Sequence, residues 1–376
     1  MRVLITSVRA GSGHVRAAEA ILSAFQKFSP SIHAVHVDAI DMVTPRFRQL
    51  YVKGYNATVN RVPALWGRLY RFWDYRPSDT GLTPLLHRTQ RRFAAPFFQF
   101  LRDFQPDLIL STHFLIPQLL ATHGQSPSFC PPVECVITDY NVHQFWVSDA
   151  VSRYYVAHAG MVNILRQRGV PPSQVIVSGI PIHPCFTKVV STSSVFQSLD
   201  LDPHQPVILM LAGGIGLSKL EGAVKHLLSL PGKLQIVTVA GRNAALKTRL
   251  NELQVPPSIK LLNLGYVDNM HELLSISSLV ITKPGGLTVS ECLAKKKVML
   301  LISPIPGQEE KNADYVAAQG AAFRVDSLSD LPLYVTKLLT NRSLRERMEK
   351  NAQACARPHA ALTIVQTIAA DASVAA

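Results

Sequence analysis

Three loops carry residue types suited to anion binding and proton transfer. In the first, "SVRAGSGHVRAAEA" (7 to 20), Gly11-Ser12-Gly13-His14 follows a short apolar run and opens a helical pattern. Glycines permit a tight turn, and a helix start offers N–H groups to an anion or a developing oxyanion. The loop lacks the dinucleotide fingerprint, because Arg16 stands where G-x-G-x-x-G needs a third glycine or alanine, and it has no Walker lysine. In the first turn of a helix the positive end of the dipole disfavours imidazolium, so His14 is expected neutral and suited to act as a general base. A histidine that only caps the turn fits the same spacing, and both readings stand at this point.

The second loop, "SLVITKPGGLTVSECLA" (278 to 294), runs from an apolar strand through Lys283, Pro284, Gly285 and Gly286 into a helix near Leu287 and Thr288. Gly285 and Gly286 allow close backbone approach, Thr288 adds a hydroxyl, and the helix N-terminus favours a diphosphate. Glu291, one turn further, is a carboxylate able to accept from two ribose hydroxyls. The third loop, "SPIPGQEEKNADY" (303 to 315), offers Gln308, Glu309 and Asn312 as the donors and acceptors that sugar hydroxyls need; a solvated acidic loop is the plainer reading. Two more glycine turns, one at Gly214 and one before Arg242, end strands on the same expected edge and are candidates to meet phosphates and base.

Elements that position these loops alternate along the chain. Apolar runs at 2 to 7, 32 to 38, 107 to 112, 133 to 138, 153 to 157 and 174 to 179 read as buried strands separated by helical patterns. The rhythm breaks at 183 to 206, rich in Pro, Ser and Thr, and restarts with strands at 206 to 213, 235 to 241, 259 to 265, 278 to 282 and 298 to 302. The reading is α/β: two doubly wound domains, 1–185 and 203–355, with ligands expected beyond the carboxyl ends of the strands. Helical segments close the chain, and 356–376 is expected to pack back on the first domain.

With 376 residues, nearly half of them apolar, the chain has material for two cores. No apolar run of about 18 residues exists, so no bilayer-spanning helix is expected, and the opening run is too short for a signal peptide. Five scattered cysteines lack C-x-x-C spacing and argue against a disulfide framework or a zinc site. The net charge of +13 suits an acidic partner. Its densest part lies between 46 and 92, where Arg61, Arg68 and Arg71 are interleaved with Trp66 and Trp73. That mixture fits the headgroup layer of an anionic membrane, and equally a solvated helical face whose aromatics are buried. No nucleic-acid-binding motif accompanies it. Asp200-Leu201-Asp202 forms a D-x-D, but in the expected connection, where it reads as coincidence.

Taken together, the loop at 11 to 14, "TDYNVHQFW" (138 to 146), "AGGIGLSKL" (212 to 220), "GRN" (241 to 243), "KPGGLTVSE" (283 to 291) and "PIPGQEEKN" (304 to 312) resemble one family almost throughout the chain. It is that of the monogalactosyldiacylglycerol synthases and processive diacylglycerol glucosyltransferases, relatives of the lipid II N-acetylglucosaminyltransferase. The resemblance implies a GT-B fold, two Rossmann-like domains facing a central cleft, on the cytoplasmic face of a membrane as a peripheral protein. It implies transfer of glucose or galactose from a UDP-sugar to diacylglycerol with inversion, without cofactor or metal. By position, His14 matches the base and Gly13, Asp139 and His143 the acceptor side; Gly286 and Thr288 match the diphosphate site, Glu291 the ribose site, and Gln308, Glu309 and Asn312 the donor-sugar site. The first loop departs from the family's run of three glycines, with Arg9 beside it. A polyprenyl-diphosphate acceptor, a sugar-nucleotide epimerase and a non-catalytic nucleotide-sugar sensor are the alternatives.

Overall fold

The computed structural model describes residues 1–9, 11–45, 48–49, 54, 62–74, 93–121, 131–212 and 218–375. Its chain divides into two compact units: Met1–Pro184 with Pro306–Gln308 and Arg357–Ala376, and Cys185–Ile305 with Glu309–Ala356.

The first unit is built on β1 (Arg2–Ser7), β2 (His33–Asp38), β3 (Leu108–Ser111), β4 (Val133–Val136), β5 (Val151–Val156) and β6 (Val175–Val177). All their pairings are parallel, in the order β2-β1-β3-β4-β5-β6. Its helices include α1 (Ser12–Phe28), α2 (Pro63–Asp74), α3 (Ala95–Phe104), α4 (Leu115–Ala121) and α5 (Gly160–Gln167). Val3, Leu4 and Ile5 are all fully buried, as expected of a parallel strand covered on both faces. On α1 the buried stripe is Ala17, Ala18, Ala20, Ile21, Ala24 and Phe25. Strand order reverses direction between β1 and β3, which makes the loops after these two strands the topological switch point.

The second unit runs α6 (Thr192–Ser198), β7 (Val207–Leu211), α7 (Ser218–Leu227), β8 (Leu234–Val239), α8 (Ala244–Asn251), β9 (Ile259–Leu264), α9 (Met270–Ile276), β10 (Leu279–Thr282), α10 (Gly286–Ala294), β11 (Met299–Ile302), α11 (Gln308–Ala318), β12 (Ala322–Val325), α12 (Leu331–Thr340) and α13 (Arg342–Cys355). Its sheet is parallel, ordered β12-β11-β10-β7-β8-β9, with the switch point between β7 and β10. The segment at 183 to 206 is more than a connection, since it carries α6, which packs on α9. Strand β12 has no counterpart in the apolar runs, because its four residues are interrupted by Arg324.

The last helix, α14 (Ala360–Ala375), belongs to the first unit and packs on α1. Ile364, Val365 and Ile368 are buried with Ile21 and Phe25, each such side chain contributing about 1.5–3 kcal/mol of transfer free energy. Where the chain re-enters this unit, Gly179 has φ 92, and a Cβ there would lie 2.3 Å from the Arg357 Cβ, so only glycine fits. The Tyr155 hydroxyl and Arg153 both donate to buried Glu134, at 2.8 and 2.9 Å, and Arg153 also pairs with Asp371 of α14.

Candidate functional site

In the first unit the site residues gather where β1, β3 and β4 end. Gly11 is the N-cap of α1 with an extended backbone and no side-chain cap, and His14 sits in the first turn beyond it. The ring is half-buried. Its Nδ1 lies 2.8 Å from the Thr112 carbonyl oxygen and 2.9 Å from Thr138 Oγ1. A carbonyl only accepts, so Nδ1 carries the proton and Nε2 keeps its lone pair. Thr112 is itself fixed: its backbone N–H donates to the Thr6 carbonyl at 2.9 Å, and its hydroxyl donates to the His14 carbonyl at 2.8 Å. Burial pushes the His14 pKa below its ordinary value; the Asp139 carboxylate and the Thr112 carbonyl pull the other way. The arrangement therefore presents a neutral imidazole of defined tautomer, able to take a proton at Nε2. Gly13 lies in the same helix turn, and Asp139 is buried in the loop after β4.

His143 has a different position from His14. It is buried, with Nδ1 accepting from the Phe145 N–H at 3.0 Å and Nε2–H donating to the Tyr70 carbonyl at 2.8 Å. Both ring nitrogens are thus engaged, and the ring packs against Tyr70 with centroids 3.9 Å apart and planes tilted by 38°. Beside it Asp74 accepts from Arg168 Nη2 at 2.7 Å and from the Gln144 N–H at 3.0 Å. Desolvation keeps His143 below its ordinary pKa, against the pull of Asp74. This cluster latches the C-terminal turn of α2 to the segment after β4.

Helix α2 turns a mixed face to solvent. Leu65, Leu69, Phe72 and Trp73 are 40–51% exposed and lie at i, i+4, i+7 and i+8, on one side of the helix, with Arg68 and Arg71 exposed among them. Trp66 and Tyr70 are half-buried, and Gly67 is buried. The basic aromatic stretch thus divides: Trp73 faces out with the arginines and Trp66 turns partly inward. Arg61 lies outside the described residues.

In the second unit, β10 leads through Lys283 and Pro284 to Gly285, the N-cap of α10, which has no side-chain cap for the helix's first N–H groups. Such a turn can seat a diphosphate, with Lys283 supplying a cation. Gly286 is buried in the first turn, Thr288 is half-buried, and Glu291 is half-buried one turn on. Asn312 of α11, fully buried, donates from Nδ2 to the Pro284 carbonyl at 3.1 Å. Glu309 accepts the Ile305 N–H at 2.6 Å. These two side chains thereby help build the loops; Gln308 is half-buried at the start of α11. Ser303, φ 49, and Gly307, φ 94, both take the left-handed conformation in the loop between β11 and α11. Arg242 follows β8, its guanidinium 5.3 Å from the Tyr266 ring centroid, and Asn243 caps α8 by accepting the Leu246 N–H. Gly214 lies outside the described residues. The D-x-D has ordinary partners: Asp200 pairs with Lys260, and Asp202 accepts from the His204 N–H and Gln205.

Spacing alone did not single out Thr112, His113, Thr138 or the Asp74–Arg168 pair. The first three had a readable signal, since each lies within two residues of the carboxyl end of a buried strand, where ligands bind. The ion pair joins residues 94 positions apart and had none.

The family model "Monogalactosyldiacylglycerol (MGDG) synthase" matches residues 14–182, and "Glycosyltransferase family 28 C-terminal domain" matches residues 207–366. A processive diacylglycerol β-glucosyltransferase of Bacillus mycoides (strain KBAB4) is 32% identical, covering 98% of this chain and 94% of that protein. Among solved structures, MurG of Acinetobacter baumannii is 17% identical with TM-score 0.65, covering 98% of this chain and 99% of that one. The MnaA–UDP co-structure from S. aureus is 13% identical with TM-score 0.63, covering 98% and 96%. The two parallel sheets and these likenesses give the chain the two-domain, Rossmann-like GT-B fold.

Proposed function

The chain belongs to the family of monogalactosyldiacylglycerol synthases and processive diacylglycerol β-glucosyltransferases, and we infer that it transfers a glucosyl residue from UDP-glucose to diacylglycerol with inversion. The observation that carries the mechanism is the pinned tautomer of His14. With Nδ1–H held by Thr112 and Thr138, Nε2 takes the acceptor's hydroxyl proton as the new bond forms at the anomeric carbon. The bond from that carbon to the UDP oxygen breaks, and the electron pair leaves with UDP. Lys283 and the first N–H groups of α10 neutralise the leaving diphosphate, Thr288 adds a hydroxyl, and Glu291 holds the ribose. Because these groups supply positive charge, turnover is expected to persist in EDTA.

Gln308, Glu309 and Asn312 form the donor-sugar end, the last two by holding the loops that shape it. Gly214 and Arg242 complete the nucleotide side. Gly13, Asp139 and His143 belong to the acceptor side, His143 through its hold on α2. That helix, with Arg68 and Arg71 among exposed Phe72 and Trp73, fits the headgroup layer of an anionic membrane and gives the protein a peripheral place there. Among the described residues no helix is long and apolar enough to cross a membrane. Relatives named for diacylglycerol favour this acceptor over a polyprenyl diphosphate, an epimerase reaction or a sensor.

The direct test offers labelled UDP-glucose and UDP-galactose, each with diacylglycerol in anionic vesicles and EDTA. A β-glucosyl lipid from UDP-glucose is expected. Labelled product from UDP-galactose alone would reassign the donor, and silence with both, despite UDP binding, would refute the acceptor.

A further inference from the structure

His113 follows β3, next to the residue whose carbonyl holds the base, and neither spacing nor family likeness gave it a task. Its ring is 2% exposed and meets His14 edge to face, with centroids 4.6 Å apart and planes at 80°. The turn holding it is tightly determined. Nδ1 of His113 accepts the Leu115 N–H at 3.0 Å, the Ser111 hydroxyl donates to the His113 carbonyl at 2.7 Å, and the His113 N–H donates back to Ser111 Oγ at 3.3 Å. Phe114 lies 4.1 Å from the His113 ring and Trp146 lies 6.3 Å from it. Trp146 also stands 6.1 Å from His14, so two rings flank the base.

We propose that His113 is a positioning residue for His14: locked by the Leu115 N–H, its ring closes one side of the base against water, so that Nε2 is the atom left to receive the acceptor proton. The proposal rests on His14 being the base. Since Nδ1 of His113 already accepts a hydrogen bond, Nε2 carries its proton, so the ring is not a second base for His14 and no proton passes between the two. What it contributes is desolvation. Charged and titratable groups facing the His14 ring are His113, from the turn after β3, and Asp139, from the loop after β4. Burial holds His113 itself well below its ordinary value, and a charge on His14 lowers it further. Two neighbouring histidines that both resist protonation keep the two rings neutral beside Asp139, where a solvent-facing imidazole has an ordinary pKa near 6.5.

Two substitutions separate the ring from the turn. His113→Asn keeps an acceptor for the Leu115 N–H but removes the ring, whereas His113→Phe keeps a ring and loses the acceptor. The measurement is kcat/KM against pH, with UDP-glucose and diacylglycerol vesicles, alongside 15N NMR of the histidine rings with His14→Gln to identify the His14 signals. In H113N the acid limb and the His14 titration should both move up, by about half a pH unit or more. In H113F the limb should stay in place while kcat falls. A limb unmoved in H113N, with the His14 signals still titrating as in the parent, would overturn the proposal and leave His113 a packing residue. A parent whose acid limb does not follow the His14 titration, with His14→Gln still turning over, would instead sink the base assignment itself.

Discussion

The base corner after β1 and the glycine loop after β10 occupy equivalent places, each at the switch point of a parallel sheet, yet they are built in opposite ways. Around His14 the neighbours fix one ring, to which the proposed mechanism gives the proton transfer: Thr112 offers its carbonyl, Thr138 its hydroxyl, and the ring is flanked by His113 and Trp146. Around Gly285 the backbone offers donors, and the side chains nearby, Asn312 above all, hold the loop from behind. A proton acceptor needs a fixed tautomer, which only neighbouring hydrogen bonds provide; a diphosphate needs several N–H groups at once, which a helix start provides without side chains. One topology thus suits both proposed tasks, and the difference lies in what lines each switch point.

The sharpest way to break this contrast is to remove the one side chain that the base corner depends on. His14→Ala should lower kcat by about 10²–10⁴-fold and leave UDP affinity unchanged. Near-normal turnover would mean the corner is only structural. Replacing Arg68, Arg71 and Trp73 together should come next in size. At about 1 kcal/mol for each arginine near an anionic surface, plus the buried ring, binding to anionic vesicles should fall some 30- to 100-fold in a sedimentation assay. UDP affinity should not change, and unaltered sedimentation would make α2 a merely solvated helix. On the donor side, Glu291→Ala should weaken UDP by about 10- to 100-fold, the worth of hydrogen bonds to a charged group, without moving the acid limb of kcat/KM. Calorimetric titration with UDP checks it, and an unchanged affinity would free Glu291 from the ribose.

Much of the fold was legible because a parallel strand covered on both faces reads as a nearly continuous apolar run, as in β1, β3, β4, β7, β10 and β11; eleven of the twelve described strands overlap the apolar-rich runs, although β2, β5 and β9 carry polar residues and are only partly covered. The strand outside those runs, β12, has only four residues, too few to outweigh Arg324, whose guanidinium pairs with Asp314 and Asp326. Local motifs identify the glycine loops and His14, since a turn and the helix after it are contiguous in sequence. What spacing does not give is the set of partners that decides how each side chain behaves. His143 stands in a motif that resembles an acceptor-side signature, but its task is fixed by the Tyr70 carbonyl, 73 positions away. Likewise the carbonyl that sets the His14 tautomer comes from Thr112, 98 positions along, and belongs to the backbone, which residue type does not reveal.

The smallest expected effect concerns stability. Burial lowers the pKa of His14, His36, His113, His143 and His158 in the first unit, and of His271 in the second. A histidine whose folded pKa is depressed binds fewer protons folded than unfolded once pH drops below about 6.5, so its stabilisation is intact above that value and drains away below it. The slope approaches about 1.4 kcal/mol per pH unit for each histidine that stays neutral in the fold. Asp38 and Glu134, whose carboxyls burial pushes up, act in the opposite sense as they take up protons, but they are two against five. Lys297, lowered to about 8, titrates above this window. Acidification from pH 7.5 to 6 should therefore loosen the first unit more than the second. Hydrogen exchange at β1 and β3, compared with β7 and β8, checks this, and equal acceleration in both sheets would mean that the buried histidines of the first unit are not held neutral, removing the basis on which His14 serves as a base.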